Sequence, residues 1–287
     1  MRSAPAGHTT DAPIAPPNIA VATNALPIPD ADQPKPGDSY VQSFARGLSV
    51  IRAFGERHPQ MTLSEVAAAT GLTRAGARRI LLTLEHLGYV NSDGRKFRLT
   101  PKILDLGYAY LSASPLWALA QPEMEALAEH TGESCSISVL EGTDIVYILR
   151  VATHKIMRVN LSVGSRLPAW ATSMGRVLLG GLPQAACDAI LAASNIQPLA
   201  AMTVTDIPTL RQIIARDRAR GYSYTTQELE DSLRSIAAPI IDRNGTVIAA
   251  INISGMVNRN SESQMLETFL PLLLKAAQNI SAMLQHR

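Results

Sequence analysis

The chain has 287 residues, 46% of them hydrophobic and 17% charged, with a net charge of +2. That length can bury two cores. No apolar run approaches the ~18 residues needed to cross a bilayer, and the start lacks a secretory apolar region. The only cysteines are Cys135 and Cys187, without metal-type spacing, which excludes a disulfide framework and points to a reduced cytoplasm. The small net charge is unevenly spread: residues 40 to 114 carry ten Lys/Arg against five Asp/Glu, and the remainder is slightly acidic. A basic footprint confined to one module is what electrostatic attachment to DNA requires.

Residues 1–38 hold eight of the 18 prolines, mixed with Ala, Asn, Asp and Thr. So many missing amides erase any helix or strand period, and a disordered tail is expected. A short partner-binding segment is the alternative.

Residues 39–99 form the next unit. SYVQSFARGLSVIRAFGERHP predicts a helix with Phe44, Leu48, Ile51 and Phe54 facing the module that follows. Thr62 and Glu65 have capping-box spacing, Leu63, Val66 and Ala67 share a face, and Gly71 ends that helix. Thr73 caps a second helix whose expected buried stripe is Ala77, Ile80, Leu81, Leu84 and Leu87, with Gly88 closing it. Arg74, Arg78 and Arg79 fall outside the stripe. Tyr89 and Val90 begin a strand, Asp93-Gly94 is a hairpin turn pair, and Phe97 to Leu99 return. Two short helices and a hairpin tipped by Arg95 and Lys96 are the parts of a winged helix-turn-helix. Its candidate DNA contacts are Ser64, Thr73, Arg74, Arg78, Arg79, Arg95 and Lys96. A solvated face would explain the arginines taken alone, but not together with the caps and the basic wing.

Residues 100–114 restart a helix at Thr100-Pro101, with Ile103, Leu106, Tyr110 and Leu111 as an apolar stripe. Such a stripe between two cores implies self-association. From residue 115 to 287, helices and strands alternate. A helix through QPEMEALAEHTG leads to strands SCSISVLEG, DIVYILRVA and IMRVNLSV, and later to SLRSIAAPII and TVIAAINISG, joined at Asn244-Gly245. Helices are expected in ATSMGRVLLGGL, PQAACDAILAAS and TLRQIIARDRARG, and from Ser261 to Leu284. The fold class is α+β: an antiparallel sheet carrying helices, behind a winged helix-turn-helix and a linker helix.

SFARGLSVIRAF, the helix-turn-helix, KFRLTPKILDLGYAYL, GSRLPAWATSMGRVLL and ELEDSLRSIAAPIIDRNGTVIAAINISG resemble, in order and spacing, the IclR family of bacterial transcriptional regulators. The likeness covers about residues 40 to 285 and is greatest to the Pca and Pob regulators of protocatechuate and 4-hydroxybenzoate catabolism. The resemblance implies a dimer or tetramer, a promoter-binding N-terminal domain and a GAF-like C-terminal domain that takes a small organic acid. Carried over by resemblance, the effector positions are Ser173, Met174, Thr225, Ser235, Asn252 and Ser254. Thr225 stands where members sensing small keto acids have an acidic residue, Ser235 replaces a cysteine, and Asn252 replaces a serine, which disfavours glyoxylate and pyruvate.

The residues themselves point to an aromatic carboxylate. Trp170, Met174 and Ile253 offer a ring slot, and Arg150 or Arg158 a bidentate partner for a carboxylate. Amides near Thr172 and Ser173 offer a second anion partner. Against these stand core packing for Trp170 and Met174, and for Arg150 an ion pair with Asp144 or Glu141. Motifs for a nucleophile elbow, zinc protease, P-loop or dinucleotide site are absent, and His130 and His154 are explained by surface positions, so neither enzymatic activity nor a cofactor is expected. The expected partners are double-stranded DNA, a small organic acid of the hydroxybenzoate type or a dicarboxylic product, and a second copy of the chain, with no membrane. The expected place is the bacterial cytoplasm, at the nucleoid. Two rivals are a regulator whose second domain only oligomerises and a redox sensor built on Cys135.

Overall fold

The computed structural model describes residues 40–55, 57–113, 115–153 and 161–285. The expected tail, His154, Arg158 and most of the expected strand IMRVNLSV lie outside these residues.

The N-terminal unit follows its capping signals. Helix α1 (Gln42–Ala53) precedes a two-residue strand β1 (Met61–Thr62), then α2 (Leu63–Thr70) and α3 (Arg74–His86). Thr62 Oγ1 accepts from the Glu65 amide at 3.3 Å while Glu65 Oε2 accepts from the Thr62 amide at 2.6 Å, so both halves of the capping box are made. Gly71 turns the chain in the left-handed region at φ 64°. Strands β2 (Val90–Ser92) and β3 (Lys96–Leu99) complete the wing, and β1 adds a third strand in the order β1-β3-β2. Val50, Phe54, Val66, Ala67, Ala77, Leu81, Leu84 and Val90 make the core.

Four details differ from expectation. Phe44 and Leu48 are exposed, because only the second half of α1 reaches the core through Val50 and Phe54. Leu87 is exposed, since α3 stops at His86 and Leu87 falls in the turn beyond it. The hairpin turn is centred on Gly94-Arg95 rather than Asp93-Gly94: Asp93 Oδ1 takes the amides of Arg95 and Lys96 at 2.9 and 2.7 Å, which pulls Asp93 to the base of the turn. Strand β1 is too short to carry a period of its own and pairs only because Met61 and Thr62 lie against Phe97 and Lys96.

A 3₁₀ turn at Pro101–Ile103 leads into α4 (Leu104–Ala113), none of whose residues is buried. Leu111 leans on the second core, whereas Leu104 and Tyr108 are 70% and 69% exposed, and Leu106 and Tyr110 are also open. Helix α5 (Pro115–Thr131) begins six residues before the expected Gln121 and carries Pro122 inside it. Leu116 and Ala120 hold that first stretch against the sheet core, which outweighs the one amide the proline removes.

The C-terminal unit is a six-stranded antiparallel sheet in the order β6-β5-β4-β9-β8-β7, formed by β4 (Ser134–Glu141), β5 (Asp144–Val151), β6 (Arg166–Pro168), β7 (Ser223–Thr226), β8 (Leu233–Ile241) and β9 (Val247–Met256). The third strand therefore lies at Arg166–Pro168; residues 161–163, the described end of the expected segment, lead towards it without pairing as a strand. On one face, α5 and α9 (Leu270–Gln285), the latter led in by a π-helical turn at Gln264–Phe269, cover Cys135, Ile137, Ile236, Ile251 and Ile253. On the other, α6 (Ser173–Gly180) and α8 (Ile207–Arg220) cover Tyr147, Ala237 and Ala250, with α7 (Gln184–Ala193) outside them. The period of two in Ser-Cys-Ser-Ile-Ser explains the division: Cys135 and Ile137 point to the first face, and Ser134, Ser136 and Ser138 to the second.

Candidate functional site

Two surfaces carry chemistry. On the winged unit, Arg74, Arg78 and Arg79 project from the N-terminal half of α3, all exposed, with Ser64 and Thr73 exposed beside them. Thr73 spends an oxygen lone pair on the Gly76 amide at 3.1 Å and keeps its hydroxyl proton. The wing brings Arg95 opposite Arg78 across a groove of about 360 Å³, with Leu82 and Gly94 on its walls. Lys96 opens β3, and Arg98, overlooked in the sequence, is also exposed on that strand. Lys102 is basic too, but its Nζ donates to the Leu87 carbonyl at 2.9 Å and sits over the Tyr89 ring, so it closes α3 instead.

The second surface is the α6-facing side of the large sheet. Strand register sets Arg150, Ser136, Asn252 and Ala237 in one row, because each is the direct partner of the next. The adjacent row holds Ser134, Ser254, Ser235 and Thr225. Helix α6 sits above, capped by Thr172, whose Oγ1 accepts from the Gly175 amide at 3.1 Å. Ser173 Oγ donates to Ser235 Oγ at 2.8 Å, Asn252 Nδ2 donates to the same oxygen at 3.0 Å, and Ser138 Oγ donates to the Met174 sulfur at 3.2 Å. Trp170 and Met174 are buried in the core on this side, whereas Ile253 points to the opposite face and offers no ring slot here.

Arg150 has no carboxylate within ion-pair reach among the described residues. The acids expected for it belong to Arg166, which holds Glu141 at 2.9 Å and Asp144 at 3.2 Å. Arg150 Nη1 donates instead to Ser136 Oγ at 3.2 Å. Burial lowers its pKa, a change that the neighbouring Tyr147 and Cys135 oppose, and burial pushes the Tyr147 hydroxyl up to about 12. A desolvated cation without an acid partner is chemically a receptor for a carboxylate. Cys135 is fully buried on the other face, and burial pushes its thiol up, the opposite of what a redox-sensing thiolate needs.

Sequence reasoning missed the ion pair that holds this site. Arg176, 1% exposed, donates Nη1 to Glu228 Oε1 at 2.8 Å, Nη2 to Oε2 at 2.5 Å and Nε to the Trp170 carbonyl at 3.0 Å. It ties the chain after β7 to α6. No spacing rule links residues so far apart, although an arginine in the otherwise apolar stretch ATSMGRVLL is itself a signal. Ser136 and Ser138 were legible in the alternation of SCSISV.

A winged helix-turn-helix with a free basic reading face, joined by a linker helix to a separate α+β domain with a polar row beneath a buried helix, defines a ligand-sensing transcriptional regulator. Residues 43–94 match the IclR helix-turn-helix domain, and residues 108–282 match the bacterial transcriptional regulator IclR C-terminal domain. The chain belongs to the IclR family. It is 43% identical to the Pca regulon regulatory protein of Pseudomonas putida over 242 residues, 84% of this chain and 83% of that protein. A crystal structure from Rhodococcus sp. RHA1 is 49% identical with TM-score 0.79, covering 85% of this chain and 98% of its own. An IclR homologue from Microbacterium hydrocarbonoxydans, crystallised with 4-hydroxybenzoate, is 26% identical with TM-score 0.75, over 85% of this chain and 100% of that one.

Proposed function

We propose that this regulator controls genes of aromatic-acid catabolism, and that a hydroxylated aromatic acid or a downstream dicarboxylic product entering the C-terminal domain changes how it holds its promoter. Arg150, on the α6-facing row with a serine hydroxyl as partner and no carboxylate in ion-pair reach among the described residues, carries this reading, supported by the 4-hydroxybenzoate complex of the Microbacterium relative. Arg150 binds the carboxylate, and Ser173, Ser235, Asn252, Thr225 and Ser254 provide the polar wall. Arg158 is an alternative carboxylate partner outside the described residues. Arg74, Arg78 and Arg79 enter the major groove, Ser64 and Thr73 contact its edge, and Arg95 and Lys96 meet phosphates. Residues 39–99 act as the reader, 100–114 as the connection and 115–287 as the sensor. The exposed face of α4 supports a dimer or tetramer, and the effector acts by preferring one arrangement of the paired readers.

The apolar setting of Cys135 disfavours the redox-sensor alternative. The test is genetic. Deleting the gene in its host changes the 4-hydroxybenzoate response of ring-degrading genes, measured as transcript; an unaltered response refutes this function.

A further inference from the structure

Asn252 is 4% exposed, and its side-chain carbonyl Oδ1 is buried without a hydrogen-bond partner. Its orientation is fixed by its neighbour. Ser235 Oγ donates its single proton to the Ile253 carbonyl at 3.2 Å and accepts both from Ser173 Oγ at 2.8 Å and from Asn252 Nδ2 at 3.0 Å. With its donor and both lone pairs committed, Ser235 has no proton for an inverted amide, so Nδ2 faces it and Oδ1 is the atom left over. The rest of the row cannot serve. Ala237 has no polar side chain, and Ser136, which accepts from Arg150, is not within hydrogen-bond reach of Oδ1.

The row therefore presents two unmet demands of opposite kind. Arg150 needs an acceptor that carries negative charge, and Asn252 Oδ1 needs a donor. A keto acid or a dicarboxylate, ionised at neutral pH, has acceptors only and leaves Oδ1 bare. A carboxylate that also bears a hydroxyl answers both. Building on the effector reading above, we infer that the ligand of this domain is a hydroxylated aromatic acid whose hydroxyl donates to Asn252 Oδ1, and that Asn252 sets the preference for hydroxylated over non-hydroxylated acids. A site that offers a buried hydrogen-bonding group to a ligand hydroxyl discriminates sharply against an analogue lacking it, because the protein group is then left unpaired.

The experiment is isothermal titration of the full chain with 4-hydroxybenzoate, 3-hydroxybenzoate, benzoate and adipate, repeated with Asn252→Leu. The expected result is that the better hydroxybenzoate binds about ten- to a hundredfold more tightly than benzoate and adipate, and that in Asn252→Leu its advantage over benzoate falls to about threefold or less. Benzoate or adipate binding the wild type as tightly as either hydroxybenzoate overturns the inference, as does an advantage that survives in Asn252→Leu. If that variant does not fold, the wild-type series decides alone. Failure of every acid to bind refutes the effector reading itself, and so is distinct from failure of the hydroxyl preference.

Discussion

Replacing Arg150 with Met keeps most of the aliphatic stem in place and removes the cation. Among the described residues Arg150 makes one side-chain hydrogen bond, to the Ser136 hydroxyl, which leaves guanidinium donors for a carboxylate. Charge-assisted bonds contribute about 1.5–3 kcal/mol, so losing a two-pronged contact of about 2.7 kcal/mol raises Kd roughly a hundredfold. At a ligand concentration a hundred times the wild-type Kd, binding stabilises the wild type by about 2.7 kcal/mol and the variant by only about 0.4 kcal/mol. For a domain of this size, that is a Tm rise of roughly 5–11 °C against about 1–2 °C, read by differential scanning fluorimetry with 4-hydroxybenzoate. Because burial disfavours the Arg150 charge and no acid among the described residues lies within ion-pair reach of it, the ligand-free variant melts no lower than the wild type. An equal ligand-induced shift in both proteins refutes Arg150 as the carboxylate partner.

Arg78→Ala weakens operator binding by about 1–3 kcal/mol with the effector response of the sensor domain retained, measured by fluorescence anisotropy; unchanged affinity removes Arg78 from the reading face. Arg176→Met strands Glu228 and lowers chemical-denaturation stability by about 3–5 kcal/mol, and adding Glu228→Gln recovers part of the loss; additive damage contradicts the pairing. Glu65 lies below the ordinary 4.5 because the Thr62 amide, then the Thr62 hydroxyl, hydrogen-bonds its carboxylate. Its contribution is complete above pH 4.5 and is lost as pH falls through the lower folded value, so Glu65→Ala flattens the acid limb of the N-terminal unit's melting curve, and an identical limb contradicts the cap. Cys135 resists thiol reagents in the native protein and reacts only on unfolding, as mass spectrometry of labelled peptides shows; native labelling contradicts its burial.

The winged unit was legible because its signals are local: Thr62 with Glu65, Gly71 and Thr73 fix helix ends within a few residues. Where tertiary packing decides, sequence misleads. Phe44 and Leu48 have helical spacing but no core beneath them, and Leu87 continues a stripe past the end of its helix. Four sensor-domain strands, β4, β5, β8 and β9, were readable in the sequence, whereas β6 and β7, of three and four residues, are too short to carry a period. Strand order was not readable, and order is what sets Arg150 and Asn252 on either side of Ser136. Asp144 and Glu141 were assigned to the wrong arginine for the same reason: Arg166 reaches them only because β6 pairs with β5. The bidentate grip of Arg176 on Glu228 spans 52 residues and leaves no local trace.

In the proposed mechanism a hydroxylated aromatic acid held in the C-terminal domain alters the grip of the N-terminal arginines on DNA. The decisive measurement titrates the full chain into a labelled fragment of its own upstream promoter, with and without 4-hydroxybenzoate and at two salt concentrations. The expected result is salt-sensitive binding whose affinity or footprint changes with the acid in the wild type but not in Arg150→Met. Binding indifferent to the acid in both proteins, or no binding at low salt, contradicts it.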